Sequence, residues 1–70
     1  MISNIQKKLG EKIKNAREKA KLTQEEVAKK AGLRGNYFAK IERGEINPTF
    51  KTLHSIKKAL NIEANDIFPS

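Results

Sequence analysis

Residues 22–44 read LTQEEVAKKAGLRGNYFAKIERG, and this stretch decides the fold. Thr23 precedes a run of polar residues, and Glu26 stands three positions after it. This spacing predicts a capping box, in which the Thr23 hydroxyl accepts from the amide of Glu26 and the Glu26 carboxylate accepts from the amide of Thr23. A helix therefore begins here. It ends at Gly32, because glycine takes a positive φ at no steric cost.

A second short helix follows almost at once. Tyr37, Phe38 and Ile41 repeat at helical spacing, so this helix begins near Arg34, about two residues after the preceding helix ends. Two short helices joined this tightly must turn sharply against each other. The pattern therefore predicts a helix-turn-helix.

The flanking segments continue the helical pattern. Apolar residues at steps of three and four predict a first helix over about 4–20, in which Gly10 is a weak point of about 1 kcal/mol relative to alanine. Asn47-Pro48-Thr49 breaks the chain and caps a fourth helix, which Asn61 ends before a short closing turn. We therefore expect a compact all-α fold of five helices, one domain over residues 1–70, with the helix-turn-helix at helices 2 and 3. The first helix rests on Ile2, Ile5, Leu9, Ile13, Ala16 and Ala20, with Ser3 and Gln6 at capping-box spacing. The fourth rests on Phe50, Leu53, Ile56, Lys57 and Leu60. The closing turn contains Ile62, Ile67 and Phe68, and Pro69 ends it.

Charge and composition narrow the functional classes. The 70 residues carry 15 Lys and Arg against 8 Asp and Glu, a net charge of +7. A small domain this basic attracts DNA, RNA or an anionic membrane, although a solvated basic surface is the alternative. There is no cysteine, His54 is the single histidine, and no apolar run approaches the length of a membrane span. We expect a cytoplasmic protein that is not an enzyme and needs no metal, cofactor or small-molecule ligand.

Several motifs recur at the spacing of a known family. The sequence resembles the lambda-repressor-like, Xre-type helix-turn-helix regulators from about Leu9 to Phe68. The resemblance implies a sequence-specific regulator of transcription that binds double-stranded DNA, more often a repressor than an activator. It also implies a homodimer on a two-fold related operator, with recognition helices in major grooves about 34 Å apart. The matching residues are Ile13, Arg17, Leu22 to Ala28, Ala31 to Leu33, Tyr37, Ile41 to Gly44, Asn47 to Thr49, and Ala59-Leu60.

The resemblance places a recognition helix at about residues 34–43. Gly35, Asn36 and Lys40 correspond to the positions that meet base edges, with Arg34 and Tyr37 beside them. Asn36 suits adenine and Lys40 suits guanine, although either side chain can instead hold a phosphate and Lys40 can face solvent. Tyr37 either contacts DNA or packs its ring on the core.

Two of these positions depart from the family pattern. Arg34 stands where the family usually has a serine or threonine cap, and Gly35 replaces a long polar side chain that reads a base. Gly35 lets the backbone approach the duplex closely, or the cap shifts by one residue. Arg34 then takes over a contact.

Two helix starts suit phosphate groups. The glutamine that matches Gln24 binds a backbone phosphate in the family and supports the recognition helix, and a helix N-terminus favours an anion. For Gln24, the alternative is an ordinary polar helix start. For the start of the fourth helix, the alternative is a solvated turn. The second start is surrounded by Arg43, Asn47, Thr49 and Lys51, whereas Lys7, Lys8, Lys12 and Lys14 of the first helix are interpreted as a solvated face.

The remaining residues have structural interpretations. Arg17 and Glu42 match the family's internal ion pair between the first helix and the recognition helix. The family often dimerises through its last helices, and core burial is the competing interpretation for each candidate. These candidates are Ile46, Leu53, His54, Ile62 and Phe68.

Two other functions are alternatives to this interpretation. An antitoxin-like module that binds a protein partner uses the same fold, but no separate extension for such a partner is visible. A membrane binder through the first helix is disfavoured, because its apolar face lacks Trp and Phe, and Glu11 and Glu18 interrupt the positive charge.

Overall fold

The computed structural model describes residues 4–67, and this part of the chain is helical throughout, without a strand. The all-helical prediction is therefore confirmed. The elements are α1 (Asn4–Lys19), α2 (Gln24–Ala31), α3 (Gly35–Glu42), α4 (Phe50–Leu60) and a short 3-10 helix (Ala64–Asp66).

The predicted ends of α2 and α4 are confirmed. The Thr23 hydroxyl accepts from the Glu26 amide at 3.1 Å, and the Thr23 amide donates to the Glu26 carboxylate at 2.8 Å. Thr49 caps α4 by accepting from the backbone of Thr52. Asn61 ends α4 in the left-handed region at φ 55°.

The closing segment differs from the expected fifth helix. Once Asn61 has turned the chain, only a three-residue 3-10 helix forms. A carboxylate oxygen of Asp66 accepts from the amide of Glu63 at 2.8 Å, which closes this turn. Ile67 follows and is buried in the core, so the segment covers the core without needing a full helix. Phe68 and Pro69 lie outside the described residues.

The core lies where the four helices meet. α2 packs against α4 and α3, and α1 packs against α3. Phe38 and Ile41 face inward as predicted and are almost fully buried. The fully buried side chains come from every helix and from the closing segment: Ile13, Val27, Phe38, Ile41, Ile56 and Ile67.

Two apolar residues lie outside this core, contrary to the pattern that placed them on inward faces. Ile5 is 70% exposed and Phe50 is 81% exposed. Both occupy the first turn of a helix, where the helix extends past the edge of the core. Ala20 is also exposed, just after the end of α1. Ile2 and Ser3 lie outside the described residues.

Gly10 is a contact point between helices. A methyl group there would lie 2.6 Å from the Ile41 carbonyl oxygen and closer still to that of Glu42. Gly44, at φ 75°, contacts α1, because a methyl group at Gly44 would lie 2.8 Å from Cα of Lys7. The backbone at the end of α3 therefore rests directly on the backbone of α1.

Candidate nucleic-acid interface

The joint between α2 and α3 is short and closed by hydrogen bonds. Gly32 takes φ 72°, and its amide donates to the Lys29 carbonyl oxygen at 3.2 Å. The Leu33 amide reaches back to the Ala28 carbonyl oxygen at 2.8 Å. This tight turn directs α3 across α2, so the predicted helix-turn-helix is present.

A partly buried ion pair holds the far end of α3. Nε of Arg17 lies 2.6 Å from one carboxylate oxygen of Glu42, and a second guanidinium nitrogen donates to the other oxygen at 3.3 Å. The Glu42 side chain is 2% exposed. The hydrogen bond that Arg17 donates to the Glu42 carboxylate raises the pKa of Arg17 above its ordinary value. The structure thus brings together the two residues that the sequence paired.

Two contacts of this pair were missed by sequence reasoning. Arg17 also donates to the Leu22 carbonyl oxygen at 2.9 Å, and the side-chain amide of Gln24 donates to Glu42 at 2.9 Å. A buried carboxylate needs several hydrogen-bond donors, and this requirement could have predicted a further partner for Glu42. α1, the start of α2 and the end of α3 therefore share one polar network.

The start of α3 presents an open face. Arg34, Asn36 and Lys40 are exposed, while Gly35 is half-buried. Arg34 occupies the cap position, as the sequence indicated, but its side chain does not cap the first turn. Tyr37 is half-buried and packs against the core, and its contact with DNA stays a prediction. Asn36 and Lys40, four positions apart, thus share one open side of the helix, and Arg34 is exposed just before its first turn.

Gly35 is unlike the other glycines. Among the described residues, a methyl group at Gly35 would meet nothing closer than Cγ of Glu25 at 3.7 Å, an ordinary contact. Gly10 and Gly44 are required by close backbone neighbours, and Gly32 by its positive φ. The surrounding protein therefore does not require glycine at position 35.

The loop between α3 and α4 carries the second predicted phosphate cluster. Arg43, Asn47, Thr49 and Lys51 are all exposed. The Thr49 hydroxyl accepts from the amide of Thr52, so part of its bonding capacity serves α4. Arg43 is already paired with a carboxylate, because its Nε donates to Glu45.

Arg43, alone of this cluster, lines a groove beside α1. The groove has a volume of about 270 Å³. Lys7 and Lys14, interpreted as part of a solvated face, line it together with Gln24 and Arg43. These two lysines are seven positions apart, which places them on one face of a helix. This spacing is the sequence signal that could have grouped them. Glu11 and Glu42 complete the lining.

The residues considered for a dimer interface are dispersed. Leu53 is 8% exposed and belongs to the core. Ile46 and Ile62 are half-buried against the core, and His54 is exposed. Phe68 lies outside the described residues. The interface itself stays a prediction.

The exposed Phe50 was missed as an interface candidate. It borders a shallow pocket of about 60 Å³ that also includes Leu53, His54 and Ile67. Its helical spacing predicts a core position, and no sequence signal separates a core position from an exposed one. Within residues 4–67, no helix is long and apolar enough to cross a membrane.

The tight joint, the anchored end of α3 and its open polar face define a DNA-binding type of helix-turn-helix domain. Residues 10–69 match the family described as helix-turn-helix domain, and the chain belongs to this family. The family consists of regulators of transcription, not of enzymes.

Characterised relatives share most of this chain. It is 42% identical over 59 residues to the immunity repressor protein of Bacillus phage phi105, a match that covers 84% of this chain and 41% of the repressor. The chain therefore spans less than half the length of that relative. The control protein C.SmaI of Serratia marcescens is 38% identical over 58 residues, covering 83% of this chain and 69% of C.SmaI.

A solved structure shows the same architecture. The restriction-modification controller protein C.AhdI from Aeromonas hydrophila superposes with a TM-score of 0.86 at 31% identity. The alignment covers 89% of this chain and 94% of C.AhdI. The relationship therefore extends over nearly the whole domain and is not limited to the two central helices.

Proposed function

We propose that this protein is a sequence-specific regulator of transcription, acting as a repressor and as a homodimer on a two-fold related operator. One observation carries the proposal: the network of Arg17, Gln24 and Glu42 fixes the end of α3 while its polar face stays open. A helix held this firmly can enter a major groove in a defined orientation. The resemblance to a phage immunity repressor and to controller proteins supports this role.

Base reading is assigned to the exposed face of α3. Asn36 has the geometry to bond both acceptor and donor of adenine, and Lys40 can donate to guanine. Arg34 is exposed just before the first turn of α3, where it adds a further polar contact. Since the protein itself does not require glycine at position 35, we infer that the closest neighbour of Gly35 is the duplex, which the bare backbone approaches there.

Phosphate binding is assigned to the two sides of this face. Gln24 lies at the first turn of α2, where free amides and the helix dipole favour an anion. Lys7 and Lys14 add positive charge in the groove beside it. The other expected contacts lie on the recognition helix and at the start of α4: Tyr37, Arg43, Asn47, Thr49 and Lys51.

The dimer interface is assigned to the surface around Phe50. Aromatic residues are enriched at protein interfaces, and Phe50, which is 81% exposed, borders a shallow pocket where a second copy could pack. His54 lies on the same surface, whereas Leu53 contributes mainly to the core. Ile46 and Ile62 stay in the proposal as half-buried candidates, although neither lines the pocket beside Phe50. The protein would act in the cytoplasm, where its operator is located.

The proposal is tested by selecting bound duplexes from a random DNA pool and titrating the winner against scrambled DNA at two salt concentrations. We expect a two-fold related sequence that binds at least about 10³ more tightly than scrambled DNA. Its half-site spacing would give the dimer geometry. Weak binding without sequence preference, which collapses steeply with salt, would overturn the regulator assignment and favour a module that binds a protein partner.

A further inference from the structure

An exposed ion pair lies at the end of the recognition helix. Nε of Arg43 lies 2.5 Å from one carboxylate oxygen of Glu45, and a second guanidinium nitrogen donates to the other oxygen at 3.3 Å. The Glu45 amide donates to the Lys40 carbonyl oxygen at 3.0 Å, which fixes the backbone that carries this carboxylate. The turn thus holds Glu45 within reach of Arg43.

The stability of the fold does not account for this pair. The side chains of Arg43 and Glu45 are 54% and 41% exposed, and exposed pairs contribute little to folding. The Arg17–Glu42 pair already anchors α3 from its buried side. What the second pair does change is the charge that Arg43 presents to its surroundings.

Arg43 lies where that charge matters. It lines the groove that also contains Lys7, Lys14 and Gln24. A guanidinium binds phosphate and carboxylate with the same pair of parallel donors, so one group must leave before the other binds in this way. Arg43, and to a lesser extent Lys40, lowers the pKa of Glu45, so its carboxylate is ionised at neutral pH.

We propose that Glu45 competes with DNA phosphate for Arg43 and thereby limits the salt-dependent affinity of this protein for any duplex. This inference rests on the proposed function. Glu45 carries no base-reading role here, and its effect is the same on operator and on scrambled DNA. While Glu45 holds Arg43, one cation of the phosphate-binding surface stays neutralised and makes no phosphate contact.

The test compares Glu45→Gln with Glu18→Gln, which removes the same charge from an exposed position on α1. DNA affinity is measured between about 50 and 200 mM salt. We expect Glu45→Gln to steepen the dependence of log affinity on log salt by about 0.9, which is the effect of one more phosphate contact. Relative to the wild type, the DNA affinity of this variant should then be about threefold higher at about 50 mM salt than at about 200 mM salt. Glu18→Gln should change this slope much less.

A second background separates competition from net charge. In an Arg43→Gln variant, the gain from Glu45→Gln should disappear, because no guanidinium is left to release. A gain that persists without Arg43, or that Glu18→Gln reproduces, would overturn the competition. The pair itself is checked in the free protein by following the Glu45 carboxyl with NMR, where Arg43→Gln should raise the pKa of Glu45.

The outcomes distinguish this inference from the function on which it rests. If the wild type selects an operator but Glu45→Gln leaves the salt slope unchanged, only the role of Glu45 is wrong. An unchanged pKa of Glu45 in the Arg43→Gln variant has the same meaning. If the wild type binds no duplex at all, the proposed function and the competition both fall, even where the titration shows the pair.

Discussion

The two ends of α3 differ in how the rest of the protein holds them. The end at Glu42 contacts α1 through a buried ion pair and through bare backbone at Gly10. The beginning, at Arg34 and Gly35, has no side-chain cap and presents an open polar face. One end therefore positions the helix, and the other is available for a ligand.

The two ends of α3 should therefore respond differently to substitution. Substitutions at the anchored end should cost stability, because several groups lose partners together. Substitutions at the open end should alter binding while leaving the fold intact. The following predictions are ordered by the size of the expected effect.

The largest effect is expected for Glu42→Ala. It removes the acceptor for both Arg17 and Gln24 and leaves a partly buried guanidinium without its carboxylate. Breaking such a pair costs about 3 kcal/mol, which we expect as a lower free energy of unfolding in urea. Glu45→Ala, at an exposed pair, is the control and should leave the unfolding midpoint almost unchanged. Equal midpoints for Glu42→Ala and the wild type would refute the anchoring role.

The second largest loss of stability is expected for Gly10→Ala. Alanine is the better helix former by about 1 kcal/mol, so a helix considered alone would gain stability. Here the added methyl group would collide with the Ile41 and Glu42 carbonyl oxygens, and we expect a net loss of about 2 kcal/mol. Asn15→Ala, at an exposed site on the same helix, is the matched control and should be neutral or stabilising. If Gly10→Ala stabilises the protein as well, α1 and α3 do not meet as described.

Gly35→Ala should raise the stability of the fold and lower its affinity for DNA. A methyl group fits there, so we expect a gain of about 0.5 kcal/mol in the free energy of unfolding. If the duplex approaches this backbone, DNA affinity should fall about tenfold, the equivalent of one charge-assisted hydrogen bond. Thermal unfolding and DNA titration of the same sample test both halves. Unchanged affinity would remove Gly35 from the interface.

The smallest effect concerns the start of α2, which has the side-chain cap that the start of α3 lacks. Hydrogen bonds from the backbone and side chain of Thr23 lower the pKa of Glu26 below its ordinary value of 4.5. The folded state therefore holds the ionised form more strongly than the unfolded state does. This stabilisation is present above pH 4.5 and is lost as the pH falls through the lower, folded-state pKa.

The measurement is thermal unfolding of the wild type and Glu26→Gln from pH 7 down to pH 3. The wild type should melt slightly higher at neutral pH, and the difference should shrink in acid. A difference that stays constant over this range would show that the carboxylate does not act through its charge.

Local sequence patterns determined the elements of this protein. Thr23 with Glu26, Gly32, Thr49 and Asn61 each act within one turn of helix, so their effects follow from neighbouring residues alone. The family resemblance placed Arg17 beside Glu42 and identified the open face of α3. These parts of the fold and of the candidate interface were predictable from the chain.

Contacts between distant segments were decided only by the tertiary structure. Gly10 looked like a weakness of α1 because its neighbour, the end of α3, is remote in sequence. The periodicity of Phe50 could not show that its turn extends past the core, nor could the lysine pattern show that Lys7 and Lys14 share a groove with Gln24. Helical spacing reports which residues share a face, whereas the packing of whole helices decides what that face meets.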